Sequence, residues 1–183
     1  MELLSASAAA LAMQRYGQNE RSLFSFLEGT EHTGIKGNYD RRTNPFYNLA
    51  NLHDNLIFNY YSFINSKYNP DFSAWVSIKG ALEKRKTKWK KHLLGDCPRL
   101  IKAVGLLNIF ASKGSNLDGD FLLQYAEVCL GIENPNPPLQ ALTDRKILFY
   151  RNYQKRFISR ERTWILNRSY YGQGTKLGKS KMW

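Results

Sequence analysis

Arg21 stands just before Leu23, Phe24, Phe26 and Leu27. Those four have the spacing of a buried helical face. The guanidinium would then project from the polar side of a short, very apolar helix. So placed, it is a planar fork able to pair with phosphate oxygens; the plainer alternative is a surface arginine beside a core helix. A second group of candidates shares one exposed helix face: Lys84, Arg85, Lys86 and Lys88, continued by Lys90 and Lys91. A third surrounds two short apolar runs: Arg145, Lys146, Arg151, Lys155 and Arg156. Both groups suit a phosphodiester backbone, which lysine and arginine grip without reading sequence. The alternative for each is a solvated charged face.

Other chemistries have weaker support. Cys97 and Cys129 lie far apart with no CxxC spacing, and His32, His53 and His92 are equally scattered, so no metal site is expected. Glu20, Glu31 and His32 could meet beside a loop, but no local spacing makes them a catalytic set. No G-x-x-x-x-G-K-[ST] run occurs, and no apolar strand ends in paired acids. ATP hydrolysis needs both a phosphate loop and magnesium-binding acids. The chain is therefore expected to be no enzyme and to hold no cofactor of its own.

The formal net charge is +12 over 183 residues, but it is unevenly spread. Residues 1–78 come to −1, residues 79–102 to +7, residues 103–144 to −4 and residues 145–183 to +10. Two basic blocks thus flank an acidic helical segment. The partner this suggests is a polyanion, DNA or RNA, or an acidic surface of a larger assembly. Hydrophobic residues make up 43%, enough for a packed core and too many for a disordered chain. The alanine-rich start has Glu2 where a signal peptide would be basic, and Arg15 ends the run early, so a helix is expected there. No apolar run approaches the ~20 residues of a membrane span. Two scattered cysteines suit a reducing cytoplasm.

The elements that must position these residues follow from periodicity and punctuation. Helices are expected over 3–15 and over 20–28, the second with Asn19 as N-cap. A long loop follows at 29–45. Phe46 to Ser66 reads as a helix capped by Asn48 or Asn51, and Ser73 caps another that runs to about Leu94. Gly95-Asp96-Cys97-Pro98 stops one helix and starts the next. Three helices come after it: one around Leu100–Phe110, one from Asp118 to Leu130 with Leu122, Leu123, Ala126 and Val128 inward, and a short one over 138–145. Lys146–Arg151 and Lys155–Ser159 then flank Asn152-Tyr153-Gln154 as a β-hairpin. Three helices and a hairpin make a winged-helix pattern. The expected fold class is mainly α: a helical bundle over 1–95, a winged-helix-like domain over 96–159, and a basic tail over 160–183, disordered or aberrant.

Three stretches carry a family likeness: Arg15 through Leu27, Gly105-Leu106-Leu107-Asn108-Ile109-Phe110, and Asp144 through Arg151. They resemble the region downstream of the nucleotide-binding core in large bacterial P-loop ATPases of the AAA/STAND type, many of them linked to phage defence. The likeness runs from about Leu11 to Phe157. It implies that 1–95 is a helical lid, that 96–159 is a winged helix, and that Arg21 senses nucleotide phosphate when a core is present. The chain departs from the pattern at both ends. Leu4 to Leu11 lacks the family's proline, and Arg160-Glu161-Arg162-Thr163-Trp164 opens a Gly- and Lys-rich tail in place of an acidic segment. The resemblance implies a non-catalytic lid and winged-helix piece that begins just past the core. It would dock on an ATPase core or be a gene remnant, with ATP and magnesium only if a core completes it. The alternative is a winged-helix module that binds nucleic acid without sequence preference.

Overall fold

Ten of the fifteen residues of helix α6 (Asp96–Phe110) are buried, and none of the ten is charged. A helix that is apolar nearly all round needs neighbours on every side. Here they are α1 (Leu3–Tyr16), α4 (Leu49–Ile64), α5 (Phe72–Lys84), α8 (Asn136–Asp144) and strand β2 (Arg156–Ser159). The computed structural model describes residues 1–17, 21–28, 33–39, 46–84, 93–112 and 114–159. The described residues also form α2 (Arg21–Glu28), α3 (Ile35–Tyr39), α7 (Gly119–Val128) and strand β1 (Leu148–Arg151). The fold is mainly helical with one small antiparallel hairpin, as the sequence pattern predicts. One hydrophobic core runs from Ala8 to Phe157 and crosses residue 95 without a break. Among the described residues, no helix is long and apolar enough to cross a membrane.

Local chemistry sets the helix ends. Asn48 Oδ1 accepts the Ala50 and Asn51 amides, and Asn51 Oδ1 returns the bond to the Asn48 amide at 3.1 Å. Both expected caps are thus halves of one capping box. Asp118 caps α7 by accepting the Phe121 amide at 3.0 Å. Ser73 is not a cap: α5 begins at Phe72, and the Ala74 and Trp75 amides donate to the Asp71 carbonyl at 2.9 and 3.1 Å. The last described residue of α5 is Lys84, so its expected continuation toward Leu94 lies outside the described residues. The expected 29–45 loop holds the short helix α3.

Two expected faces differ. Of Leu23, Phe24, Phe26 and Leu27, only Phe26 is buried, edge-on against Tyr47 with ring centroids 5.6 Å apart. The other three are exposed, because α2 sends only Phe26 of its described side chains into the core and packs chiefly on α3. Val128 is also exposed, since α7 ends there and the chain turns through Cys129.

The hairpin pairs Leu148 with Ser159 and Arg151 with Arg156. Its first strand starts later than expected because Lys146 takes a left-handed φ of 55° that turns the chain out of α8. A 3₁₀ turn over Asn152–Gln154 closes the hairpin, and Lys155 leaves it at φ 46°. Leu117, between α6 and α7, adds a single bridge to Arg156, its amide N–H donating to the Lys155 carbonyl at 2.9 Å. Asn108 of α6 donates to the Phe157 carbonyl at 2.8 Å and seats β2 on the core.

Candidate functional site

A groove of about 690 Å³ opens between the hairpin and the helices beneath it. Three arginines line it: Arg15 from the last turn of α1, Arg151 from the end of β1, and Arg156 from the start of β2. The hairpin register sets the last two directly opposite each other.

Each guanidinium is held differently. Arg15 Nη1 lies 3.2 Å from Asp71 Oδ2 and 3.4 Å from the Ile109 carbonyl, with its guanidinium 5.4 Å from the Phe110 ring centre. Arg156 Nη2 donates to the Ser112 and Ser115 carbonyls, both at 3.3 Å, so it is positioned without being neutralised by them. Arg151 donates to the Tyr153 hydroxyl at 2.8 Å and lies over the Phe149 and Tyr153 rings at 5.9 and 5.7 Å. Asp71 is the only carboxylate among the described residues lining the groove. It also accepts the Tyr16 hydroxyl at 2.8 Å, and that hydroxyl accepts Trp75 Nε1 at 3.1 Å. Burial first, and then Asp71, push Tyr16 well above the usual tyrosine range against the opposing pull of the Trp75 bond. The phenol therefore stays a neutral donor that fixes Asp71 beneath Arg15.

The groove thus offers more guanidinium than carboxylate charge, beside Asn108 and Gln154. Guanidinium forks pair with phosphate oxygens in two-bond geometry. A phosphate backbone or another polyanion is the ligand chemistry this arrangement fits.

Of the other expected site residues, those that are described do not line it. Arg145 is exposed at the end of α8, Lys146 is exposed just after it, and Lys155 is exposed at the hairpin turn. Lys84 is exposed at the last described residue of α5. Arg85, Lys86 and Lys88 lie outside the described residues, as do Lys90, Lys91, Asn19, Glu20, Glu31, His32 and the tail from residue 160. Arg21 opens α2, and its side chain lies outside what is described. Arg15 was missed as a site residue, because nothing in its local sequence ties it to a hairpin more than a hundred residues away.

The third helix of the winged-helix order offers no cation to hold it against a phosphate backbone. The exposed residues of α8 are Asn136, Pro137, Gln140 and Asp144, and Gln140 donates to Asp144 at 2.8 Å. None carries positive charge. Among the described residues, no group of three or more His, Cys, Asp or Glu is placed to hold a metal ion. Comparison with protein families, with curated proteins and with solved structures finds no match to this chain.

Proposed function

We propose that the chain is a non-catalytic binding module that holds a nucleic-acid backbone in the groove of Arg15, Arg151 and Arg156 without reading its sequence. The observation that carries this reading is the meeting of three guanidinium groups, from α1 and from both hairpin strands, over one carboxylate among the described lining residues. The exposed face of α8 supports sequence independence, since it carries no lysine or arginine to hold it against the phosphates of a groove and its Gln140 is already bonded to Asp144. The lack of a phosphate-loop sequence supports a role without turnover.

The test is binding of labelled DNA duplex and single strands of DNA and RNA, followed by fluorescence anisotropy across a salt series. Roughly micromolar affinity at low salt is expected, falling steeply as salt rises. Replacing Arg151 and Arg156 by Gln should flatten the slope of log K against log salt by about 1.8 for a duplex, from two phosphate contacts at about 0.9 each. The loss should be equal for unrelated sequences. Replacing Lys84, Arg85, Lys86 and Lys88 by Ala should weaken binding in the same uniform way. If deletion of residues 160–183 abolishes binding while the groove substitutions change nothing, the reading fails.

A second reading is favoured by the exposed Leu23, Phe24 and Leu27. In it the chain is a regulatory lid that docks this apolar face on a P-loop ATPase core, with Arg21 turned to the nucleotide and ATP and magnesium held only in the joint complex. Phe24→Ser with Leu27→Ser would then break the complex with such a core and leave nucleic-acid binding unchanged.

A further inference from the structure

A second cavity, of about 390 Å³, lies between α4 and α5 and shares no described lining residue with the arginine groove. Its walls are apolar: Ile57, Tyr61 and Ile64 from α4, and Trp75 and Leu82 from α5. The α4 residues come from both sides of a kink at Tyr60, whose backbone leaves the helical range. Into these walls is set one deeply buried polar side chain, His53, which is 7% exposed and has its ring centre 5.7 Å from that of Trp75.

The hydrogen bonds of His53 define its free edge. Nδ1 lies 3.1 Å from Asp54 Oδ1, and Lys102 Nζ lies 2.6 and 2.7 Å from the two oxygens of that carboxylate. Burial alone would raise Asp54, but the His53 bond and Lys102 outweigh it and hold the acid below its usual range. An ionised carboxylate only accepts, so the proton of the ring sits on Nδ1. Burial keeps the ring neutral by lowering His53, against the pull of Asp54. Nε2 is then a bare lone pair, and no described donor meets it. An apolar cavity with one such acceptor is how small-molecule sites are built.

We propose that this cavity binds a flat, uncharged, fused-ring aromatic that packs on Trp75 and Tyr61 and donates one N–H or O–H to His53 Nε2. Size argues for two rings: a cavity of about 150 Å³ already holds benzene, and this one is more than twice that. The charges argue against an anion. Lys79 and Glu83 line the same cavity with opposite sign, and Lys102 is committed to Asp54.

The test titrates the full chain with indole and, separately, with benzothiophene, a fused bicycle of closely similar shape that has no N–H donor. Heteronuclear NMR follows the ring signals of Trp75 and His53. Saturable shifts at both residues are expected, with indole about five- to tenfold tighter, the worth of one neutral hydrogen bond. His53→Phe should bring the two probes to equal affinity, and Ile57→Trp should exclude both by filling the space. Equal affinity for the two probes on the native chain overturns the proposal, as does the absence of saturable shifts. Neither outcome depends on whether a variant folds, and neither bears on the polyanion groove.

Discussion

Replacing Tyr125 by Phe tests whether three helices are pinned at one buried point. The Tyr125 hydroxyl donates to Glu2 Oε1 at 2.8 Å and accepts the Leu49 amide at 3.2 Å. Glu2 is itself buried, caps α1 by accepting the Leu4 and Ser5 amides at 2.6 and 2.8 Å, and also receives the Ser5 hydroxyl. One oxygen of α7 thus joins the starts of α1 and α4. Phenylalanine fills the same space, so no cavity is made and the loss is confined to two hydrogen bonds. A bond to a charged group contributes about 1.5–3 kcal/mol, and a buried amide left without an acceptor costs about 1–3 kcal/mol. The full penalty of a bare buried charge, about 3–5 kcal/mol, does not apply because Glu2 keeps three donors. The two losses share one hydroxyl and do not simply add. We expect destabilisation of about 2–3 kcal/mol. For a chain of this length that is a fall of about 5–10 °C in Tm. Urea and thermal unfolding followed by circular dichroism would measure it, with Tyr150→Phe on the exposed hairpin as a control expected within about 0.5 kcal/mol. If Tyr125→Phe matches the control, the hydroxyl does not hold the helices together and the pinning argument fails.

Alkaline pH should expose the same chemistry. Tyr16, Tyr47 and Tyr125 are all pushed above the usual tyrosine range near 10, chiefly by burial. The unfolded chain therefore gives up these protons first, and stability present below about pH 10 is lost as pH rises beyond it. Denaturant midpoints between neutrality and pH 11 should show this loss, and Tyr125→Phe should make it less steep. Gly105→Ala should destabilise despite the better helix propensity of alanine. A Cβ there would stand 2.5 Å from Ile78 Cδ1, and closer still to Cγ1, where α5 crosses α6. Overpacking of about 1–3 kcal/mol exceeds the gain of about 1 kcal/mol from replacing glycine. The substitution should cost much less in an Ile78→Ala background, and equal costs in both backgrounds would refute the contact.

What was legible in the sequence was local. The Asn48–Asn51 box, the Asp118 cap, the break at Gly95–Pro98 and the hairpin each depend on residues a few positions apart. Arg151 and Arg156 were legible as members of one basic hairpin for the same reason, and the observed register sets them opposite each other. Periodicity also finds apolar faces, but it does not say what covers them. The spacing of Leu23, Phe24, Phe26 and Leu27 is helical, yet only Phe26 has a core to enter. Both candidate sites depend on such unannounced pairings. Arg15 reaches Asp71 across 56 positions and Ile109 across 94, and Glu2 meets Tyr125 across 123. His53 looked merely scattered in the sequence, since its meaning comes from α5 and from Lys102 of α6. The arginine groove is therefore a joint product: the hairpin supplies two cations by a local rule, and the seating of α1 on α6 supplies the third. Its charge can be read from one dimension, but its concavity cannot. That difference is why the sequence suggests a polyanion partner while only the fold suggests where the polyanion would lie.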